Sequence, residues 1–192
     1  MSNPQDISVL QKFTEVLDGL KIAYAIGGSM ASSVYGTVRF TQDADITVEP
    51  FGPTADKFFE ILKNDFYISK EAMYQALQSR GSFNIIHFAT AFKIDIFIQA
   101  DNDFQKQVLS RSKKLRLGGR GKQMSFVSPE DIVLLKLDWF KQSDCTSQRQ
   151  WSDIQGVLVG RANSLDLGYL KSWAEKLGLA ELLIRAISES ET

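Results

Sequence analysis

The sequence contains very little of two reactive residue types, cysteine and histidine. Cys145 is the only cysteine, so it cannot form an internal disulfide, and this usage suits a reducing compartment. A cysteine nucleophile would need a base, and His87 is the only histidine in the chain. No run approaches about eighteen consecutive apolar residues, and the first residues lack the basic-then-apolar order of a signal peptide. We therefore expect a cytoplasmic protein without a membrane partner.

A large excess of charge of either sign is also absent. The formal net charge is −1 over 192 residues, which argues against a protein that coats nucleic acid through bulk charge. The charge is nevertheless uneven, because seven basic residues and no acid lie between residues 104 and 129: Lys106, Arg111, Lys113, Lys114, Arg116, Arg120 and Lys122. This basic stretch is either the solvated face of a hairpin or an anion-binding patch that favours RNA as a partner.

The hydrophobic periodicity changes once along the chain. Helical and strand patterns alternate up to residue 127, and only helical patterns follow. The predicted strands include KIAYAI, DADITVE, SFNIIHF and FKIDIFI, of which the last two have the spacing of a hairpin. Ser128 can cap the first of the later helices, and Pro129 fits its first turn. We predict an α+β domain with a mixed or antiparallel sheet flanked by helices over residues 1–127, and a C-terminal helical bundle over residues 128–192.

Three aspartates fall on two of these predicted strands. Asp43 and Asp45 are two residues apart, so in a strand they share a face and lie roughly 6.5–7 Å apart along it. Asp95 is the single acid in an apolar strand, where an unpaired carboxylate would be costly. Each acid has an ordinary alternative, a solvated face for the first two and a hydrogen-bonded buried position for Asp95. A site where all three meet around Mg²⁺ explains them together.

A glycine pair precedes the first two acids. Gly27 and Gly28 end the strand KIAYAI, and Ser29 starts a short predicted helix that Gly36 stops. Free backbone N–H groups at such a turn, with a hydroxyl beside them, can bind an anion. The alternative is a helix start that only needs the backbone freedom of glycine.

These residues resemble a known signature. The stretch GGSMASSVYGTVRFTQDADI is similar to that of the DNA-polymerase-β-like nucleotidyltransferase superfamily: a glycine pair, a helix, a glycine, then R-x-T-x-D-x-D, with a third Asp on a later strand. The stretches SPEDIVLLKLDWF and RQWSDIQGVL resemble the helical region of small bacterial nucleotidyltransferases related to abortive-infection (toxin–antitoxin) enzymes. In those enzymes a Lys on one helix precedes R-x-x-x-D on the next, which here gives Lys136, Arg149 and Asp153.

The resemblance implies the nucleotidyltransferase fold and transfer of a nucleoside monophosphate from an NTP to an acceptor hydroxyl, with release of pyrophosphate. It implies two groups of site residues: Asp43, Asp45 and Asp95 as catalytic ligands of Mg²⁺ or Mn²⁺, and Gly27, Gly28, Ser29, Arg39 and Lys136 around the nucleotide. The acceptor is an RNA end, a protein or a small molecule. An inactive nucleotidyltransferase fold that binds a nucleotide or a partner is the alternative.

Arg39, Lys136 and Arg149 each also have a structural interpretation. Arg39 precedes a strand and can be solvated, and Lys136 can extend its ammonium from an apolar helix face to water. Arg149 and Asp153 are four residues apart, so they can brace their own helix without contacting a ligand.

Overall fold

The computed structural model describes residues 4–39, 41–117 and 121–190, and these fall into two compact units. The first unit lies within Met1–Gly27 and Phe40–Phe126, and the second within Gly28–Arg39 and Val127–Thr192. The segment 28–39 therefore belongs to the same unit as the C-terminal helices, which the sequence did not predict. The predicted boundary at residues 127 and 128 stays a prediction.

The described helices and strands follow in chain order. The helices are α1 (Pro4–Gly19), α2 (Gly28–Tyr35), α3 (Ala55–Leu62), α4 (Lys70–Ser79), α5 (Asp103–Ser110), α6 (Pro129–Gln142), α7 (Gln148–Arg161), α8 (Leu167–Lys176) and α9 (Ala180–Ser190). The strands are β1 (Tyr24–Ile26), β2 (Asp43–Val48), β3 (Phe66–Ile68), β4 (Ser82–His87), β5 (Lys93–Ile98), β6 (Lys113–Leu115) and β7 (Met124–Phe126). None of these helices is long and apolar enough to cross a membrane.

The strands of the first unit form one mixed sheet in the order β3-β4-β5-β2-β1-β7-β6. The β2/β5 and β1/β7 pairs are parallel, and the remaining neighbours are antiparallel, including the predicted β4/β5 hairpin. Burial alternates strictly along β2 and β5, so each strand has one buried and one half-exposed face. The predicted α+β class and mixed sheet are confirmed.

The core of the first unit lies between the buried face of the sheet and its helices. Phe13 of α1 contacts Phe58 of α3 edge-to-face, with ring centroids 6.1 Å apart, and both side chains are fully buried. Ile46 and Ile96 face the same interior from β2 and β5. Because the apolar residues alternate with the acids on these strands, burying the isoleucines leaves the acids on the half-exposed face.

The described secondary structure of the second unit consists of helices joined by loops. Helix α2 packs against α6 and α7, and α8 and α9 complete the bundle. The predicted start of α6 is confirmed, because the Ser128 hydroxyl accepts a hydrogen bond from the Asp131 backbone N–H and Pro129 is the first helical residue. Helix α2 begins at Gly28, so Ser29 lies inside its first turn, and the helix ends directly before Gly36 as predicted.

Candidate active site

The half-exposed faces of β2 and β5 bring the three predicted acids onto neighbouring strands. The two strands are parallel and in register, so that Asp45 is opposite Asp95 and Asp43 is opposite Lys93. Paired residues on neighbouring strands are about 4.8 Å apart and share a face. The four residues therefore lie at the corners of a rectangle on one sheet face and contribute three carboxylates and one ammonium; we call them the acidic quartet.

The neighbours of the quartet fix two of its members. The Thr41 hydroxyl is buried and donates a hydrogen bond of 2.8 Å to Asp43 Oδ1. The backbone N–H of Gly27 donates to the backbone carbonyl of Asp45 over 2.8 Å, which ties the end of β1 to the middle of β2. The predicted glycine turn is thus attached directly to one of the predicted metal ligands.

Lys93 is a member of the quartet that sequence reasoning missed. Its Nζ lies 2.7 Å from Asp95 Oδ2, and 41% of the lysine side chain is exposed against 22% for the aspartate. The hydrogen bond to Asp95 raises the pKa of Lys93 above its ordinary value; burial acts in the opposite direction, and the charges of Asp95, Asp43 and Asp45 add to the increase. The lysine therefore remains protonated and is the cation of the quartet at neutral pH.

The donor set of the quartet suits a hard divalent cation. Carboxylate oxygens are the side-chain ligands that Mg²⁺ and Mn²⁺ prefer, and Asp43 and Asp45 lie on one strand face. Over residues 4–39, 41–117 and 121–190, however, no three His, Cys, Asp or Glu side chains are gathered closely enough to hold an ion. The ion pair between Asp95 and Lys93 is consistent with this spacing, because the Asp95 carboxylate binds the lysine ammonium and not a site shared with the other two acids.

A second polar cluster lies within the helical unit and is centred on Asp153 of α7. Arg39 binds its carboxylate through two hydrogen bonds, Nε to Oδ1 at 2.9 Å and a terminal guanidinium nitrogen to Oδ2 at 3.0 Å. Lys136 of α6 donates to the same Oδ2 at 2.8 Å and to Gln150 Oε1 at 2.9 Å. The Arg39 guanidinium also contacts the Ser29 hydroxyl. Two predicted nucleotide-binding residues, Arg39 and Lys136, therefore bind one aspartate, and a third, Ser29, contacts Arg39.

The electrostatics of this Asp153 cluster follow from its burial. The side chains of Lys136 and Asp153 are only 5% and 7% exposed, and that of Arg39 is 24% exposed. Burial acts to raise the pKa of Asp153, but the hydrogen bonds and charges of Arg39 and Lys136 outweigh it and hold that pKa below its ordinary value. Two cations against one carboxylate leave these three residues with a net charge of +1.

The first turn of α2 lies beside this cluster. Gly28 has a φ of 52°, in the left-handed region that residues with a Cβ rarely adopt, and the chain turns there from the end of β1 into α2. The Ser32 hydroxyl donates to the backbone carbonyls of Gly28 and Ser29. The backbone N–H groups at the start of a helix have no intrahelical acceptor, so this turn is suited to an anion.

The predicted basic stretch is partly neutralised by acids of its own unit. Lys106 lies 2.7 Å from Asp101, and Lys114 and Lys122 lie 3.7 Å and 3.6 Å from carboxylate oxygens of Asp18 on α1. Arg120 lies outside the described residues. These pairs support the solvated-face interpretation of the stretch more than an RNA-binding groove.

Comparison with known proteins identifies the fold. No protein-family model and no curated protein sequence matches the chain. Among solved structures, an antigenic nucleotidyltransferase-like protein from Paracoccidioides brasiliensis matches with a TM-score of 0.58 and 18% identity, over 98% of this chain and 94% of that protein. The chain has the nucleotidyltransferase fold.

Two antibiotic-related proteins share this nucleotidyltransferase fold. The lincosamide antibiotic adenylyltransferase LnuA, solved with lincomycin bound, has a TM-score of 0.53 and 14% identity, over 81% of this chain and 96% of its own. The antibiotic-resistance factor ANT(2'')-Ia has a TM-score of 0.52 and 15% identity, over 97% of this chain and 95% of its own. At such identities the likeness concerns the fold.

Sequence reasoning about the nucleotidyltransferase fold located the acids but missed some of their partners. Lys93 precedes Asp95 by two residues, so the alternation of β5 could have placed it on the acidic face. The partner of Asp153 had no local signal, because Arg39 is 114 residues away. The nearby candidate, Arg149, is not the residue that holds this carboxylate; Arg39 and Lys136 hold it.

Proposed function

We propose that the chain is a metal-dependent nucleotidyltransferase that moves a nucleoside monophosphate from an NTP to an acceptor hydroxyl. The observation that carries the proposal is the in-register pairing of β2 and β5, which sets Asp45 beside Asp95 with Asp43 on the same half-exposed face. In the reaction the acceptor oxygen forms a bond to the α-phosphorus of the NTP. The bond from that phosphorus to the oxygen that bridges the α and β phosphates breaks, and pyrophosphate leaves.

Asp43, Asp45 and Asp95 would hold Mg²⁺ or Mn²⁺. Bound there, the metal would neutralise the charge that develops on the phosphate oxygens. Thr41 orients Asp43 through its hydrogen bond, and Gly27 fixes the backbone of Asp45. Asp95 would accept the proton of the attacking hydroxyl.

The start of α2 would take phosphate oxygens of the nucleotide. Gly27, Gly28 and Ser29 would contribute backbone N–H groups and a hydroxyl, and Arg39 would contribute its guanidinium. The position of Arg39 supports this role, because it touches Ser29 and is still a quarter exposed. Lys136 is almost fully buried against Asp153, so we assign it the positioning of Arg39 through that carboxylate in preference to a direct phosphate contact.

A small molecule with a free hydroxyl is the acceptor that we favour over RNA and protein. The fold neighbours LnuA and ANT(2'')-Ia support this choice, since both are named for antibiotics. The ion pairs of Lys106, Lys114 and Lys122 also reduce the local positive charge that an RNA backbone would need.

Label transfer tests the activity. The protein is incubated with each α-³²P-labelled NTP, Mg²⁺, and in separate reactions a panel of lincosamides and aminoglycosides, total cellular RNA and total cellular protein. We expect labelled product from the small-molecule panel, and a loss of at least about a thousandfold in the Asp43→Asn/Asp45→Asn variant. Asp56→Asn is the matched control, because Asp56 is an exposed acid of the same unit that pairs with Lys70 at 2.7 Å.

The outcomes separate the alternatives. Label on RNA or protein alone would replace the small-molecule acceptor and keep the reaction class. Nucleotide binding without transfer from any NTP to any acceptor would instead support the inactive binding module. A toxin–antitoxin setting stays a prediction, which induced expression tests: a toxin arrests growth in the wild type and does not in Asp43→Asn/Asp45→Asn.

A further inference from the structure

Lys93 is placed where it can act on the metal ligands of the proposed site. It stands opposite Asp43 on the neighbouring strand and two residues before Asp95 on its own. Its ammonium binds Asp95 Oδ2 at 2.7 Å. Lys93 thus occupies one corner of a rectangle whose other three corners are acids.

The contact with Lys93 changes what Asp95 can do. A carboxylate oxygen that accepts a hydrogen bond from an ammonium must release it before it can ligate a metal through the same lone pairs. An ammonium beside Asp43 and Asp45 also repels a divalent ion at those residues, since both carry positive charge. The lysine and the metal are therefore competitors for one set of carboxylates.

The exposure of the pair allows the exchange. The Lys93 side chain is 41% exposed and ends a flexible four-carbon stem, so it can move into water without unfolding its strand. Ion pairs at such exposure are weak.

We propose that Lys93 is a built-in counter-ion that holds Asp95 away from the metal in the free protein and so lowers its affinity for divalent cations. This inference rests on the proposed function, because it presupposes that the quartet binds a metal. An arriving NTP brings negative charge that offsets the ammonium, so metal and nucleotide bind more tightly together than either binds alone. Lys93 is accordingly a positioning residue that acts on the reaction through Asp95.

Manganese titration of the nucleotide-free protein tests the inference, with the free Mn²⁺ signal in electron paramagnetic resonance as the readout. A unit charge about 6 Å from a divalent ion, in a water-like dielectric, changes affinity about tenfold. We expect Lys93→Met to bind Mn²⁺ about tenfold more tightly than wild type, and Lys93→Arg to stay within about twofold. Lys63→Met is the matched control, since Lys63 directly follows α3 of the same unit and pairs with Glu60 of that helix through exposed side chains, and it should bind like wild type.

The stability of each variant provides a second readout. Removing the ammonium leaves the three carboxylates on this sheet face without its positive charge, so Lys93→Met should melt at a lower temperature than wild type without metal and gain more from added Mn²⁺. If Lys93→Met does not fold, Lys93→Gln keeps a donor for Asp95 and removes the charge.

Three results distinguish a failure of the counter-ion role from a failure of the proposed metal site. Equal Mn²⁺ affinity in wild type, Lys93→Met and Lys93→Gln overturns the counter-ion role and leaves the metal site standing. Weaker Mn²⁺ binding in the two uncharged variants overturns the role in the same way. Absence of Mn²⁺ binding in every variant overturns the metal site itself, and with it the inference.

Discussion

Replacing Asp153 by Asn should destabilise the helical unit by about 3–5 kcal/mol. The carboxylate accepts two hydrogen bonds from Arg39 and one from Lys136, and Lys136 and Asp153 are both more than nine-tenths buried. Asparagine keeps the size of the side chain but removes the charge, so it leaves a buried ammonium uncompensated. Breaking a buried pair by removing one partner costs about 3–5 kcal/mol, far more than the pair itself contributes.

Equilibrium unfolding in urea at neutral pH measures this cost, and a second variant isolates the interaction. Lys136→Met removes the buried cation and leaves Asp153 with Arg39, so we expect a loss of only about 1–2 kcal/mol. The double variant should lose less than the sum of the two, with a coupling of about 1–3 kcal/mol. A loss below about 1 kcal/mol in Asp153→Asn, or strictly additive variants, would refute the reasoning.

The same network predicts a pH dependence of known sign. The cations hold the pKa of Asp153 below the ordinary value of about 3.9. A lowered carboxyl pKa gives a stability contribution that is complete above about pH 4–5 and is lost as the pH falls through the folded-state value. The difference in free energy of unfolding between wild type and Asp153→Asn should therefore be constant near neutrality and shrink below about pH 4. A difference that grows on acidification would contradict this assignment.

Three variants of the helical unit and one control in the first unit are compared by urea unfolding. Gly36→Ala should cost about 3 kcal/mol, because a Cβ there would lie 2.3 Å from the backbone carbon of Gly156. Gly19→Ala is the control and should be neutral, because a Cβ there would meet no atom within 4 Å beyond its chain neighbours and the backbone of its own helix. Tyr35→Phe should leave stability unchanged or raise it by up to about 1 kcal/mol, since the buried hydroxyl has no hydrogen-bond partner among the described residues. Ser128→Ala should lose about 1 kcal/mol with the N-cap of α6; no loss would contradict the capping role.

Most of the sheet could be predicted because apolar and polar residues alternate along its longer strands, and this alternation indicates which residues are buried. The alternation in DADITV and KIDIFI assigned both strands and placed three acids on one face. Strand β3, Phe66–Ile68, was missed, since three residues are too few for a period of two to stand out.

The rest of the site depends on contacts between distant segments. Nothing local to Arg39 shows that it meets Asp153, because the two are 114 residues apart and the i,i+4 pattern within α7 points to Arg149 instead. The assignment of segment 28–39 to the helical unit has the same origin, since it follows from packing of α2 against α6 and α7. Hydrophobic periodicity predicts which face of a helix or strand is buried, but it does not predict which elements pack against each other.

The lysine–aspartate pairs of the acidic quartet and of the Asp153 cluster have almost the same length and opposite consequences. Lys93 and Asp95 are 2.7 Å apart and Lys136 and Asp153 are 2.8 Å apart, yet the first pair is 41% and 22% exposed and the second 5% and 7%. An exposed pair contributes about 0–1 kcal/mol, so a divalent ion at the proposed site would displace Lys93 at little cost. Separating the buried pair would leave uncompensated charges in the interior, at a cost of several kcal/mol. Lys136 therefore holds Asp153, and through it Arg39, in one place. Burial, and not distance, therefore separates the proposed role of Lys93 as a replaceable counter-ion from that of Lys136 as a fixed support for the guanidinium.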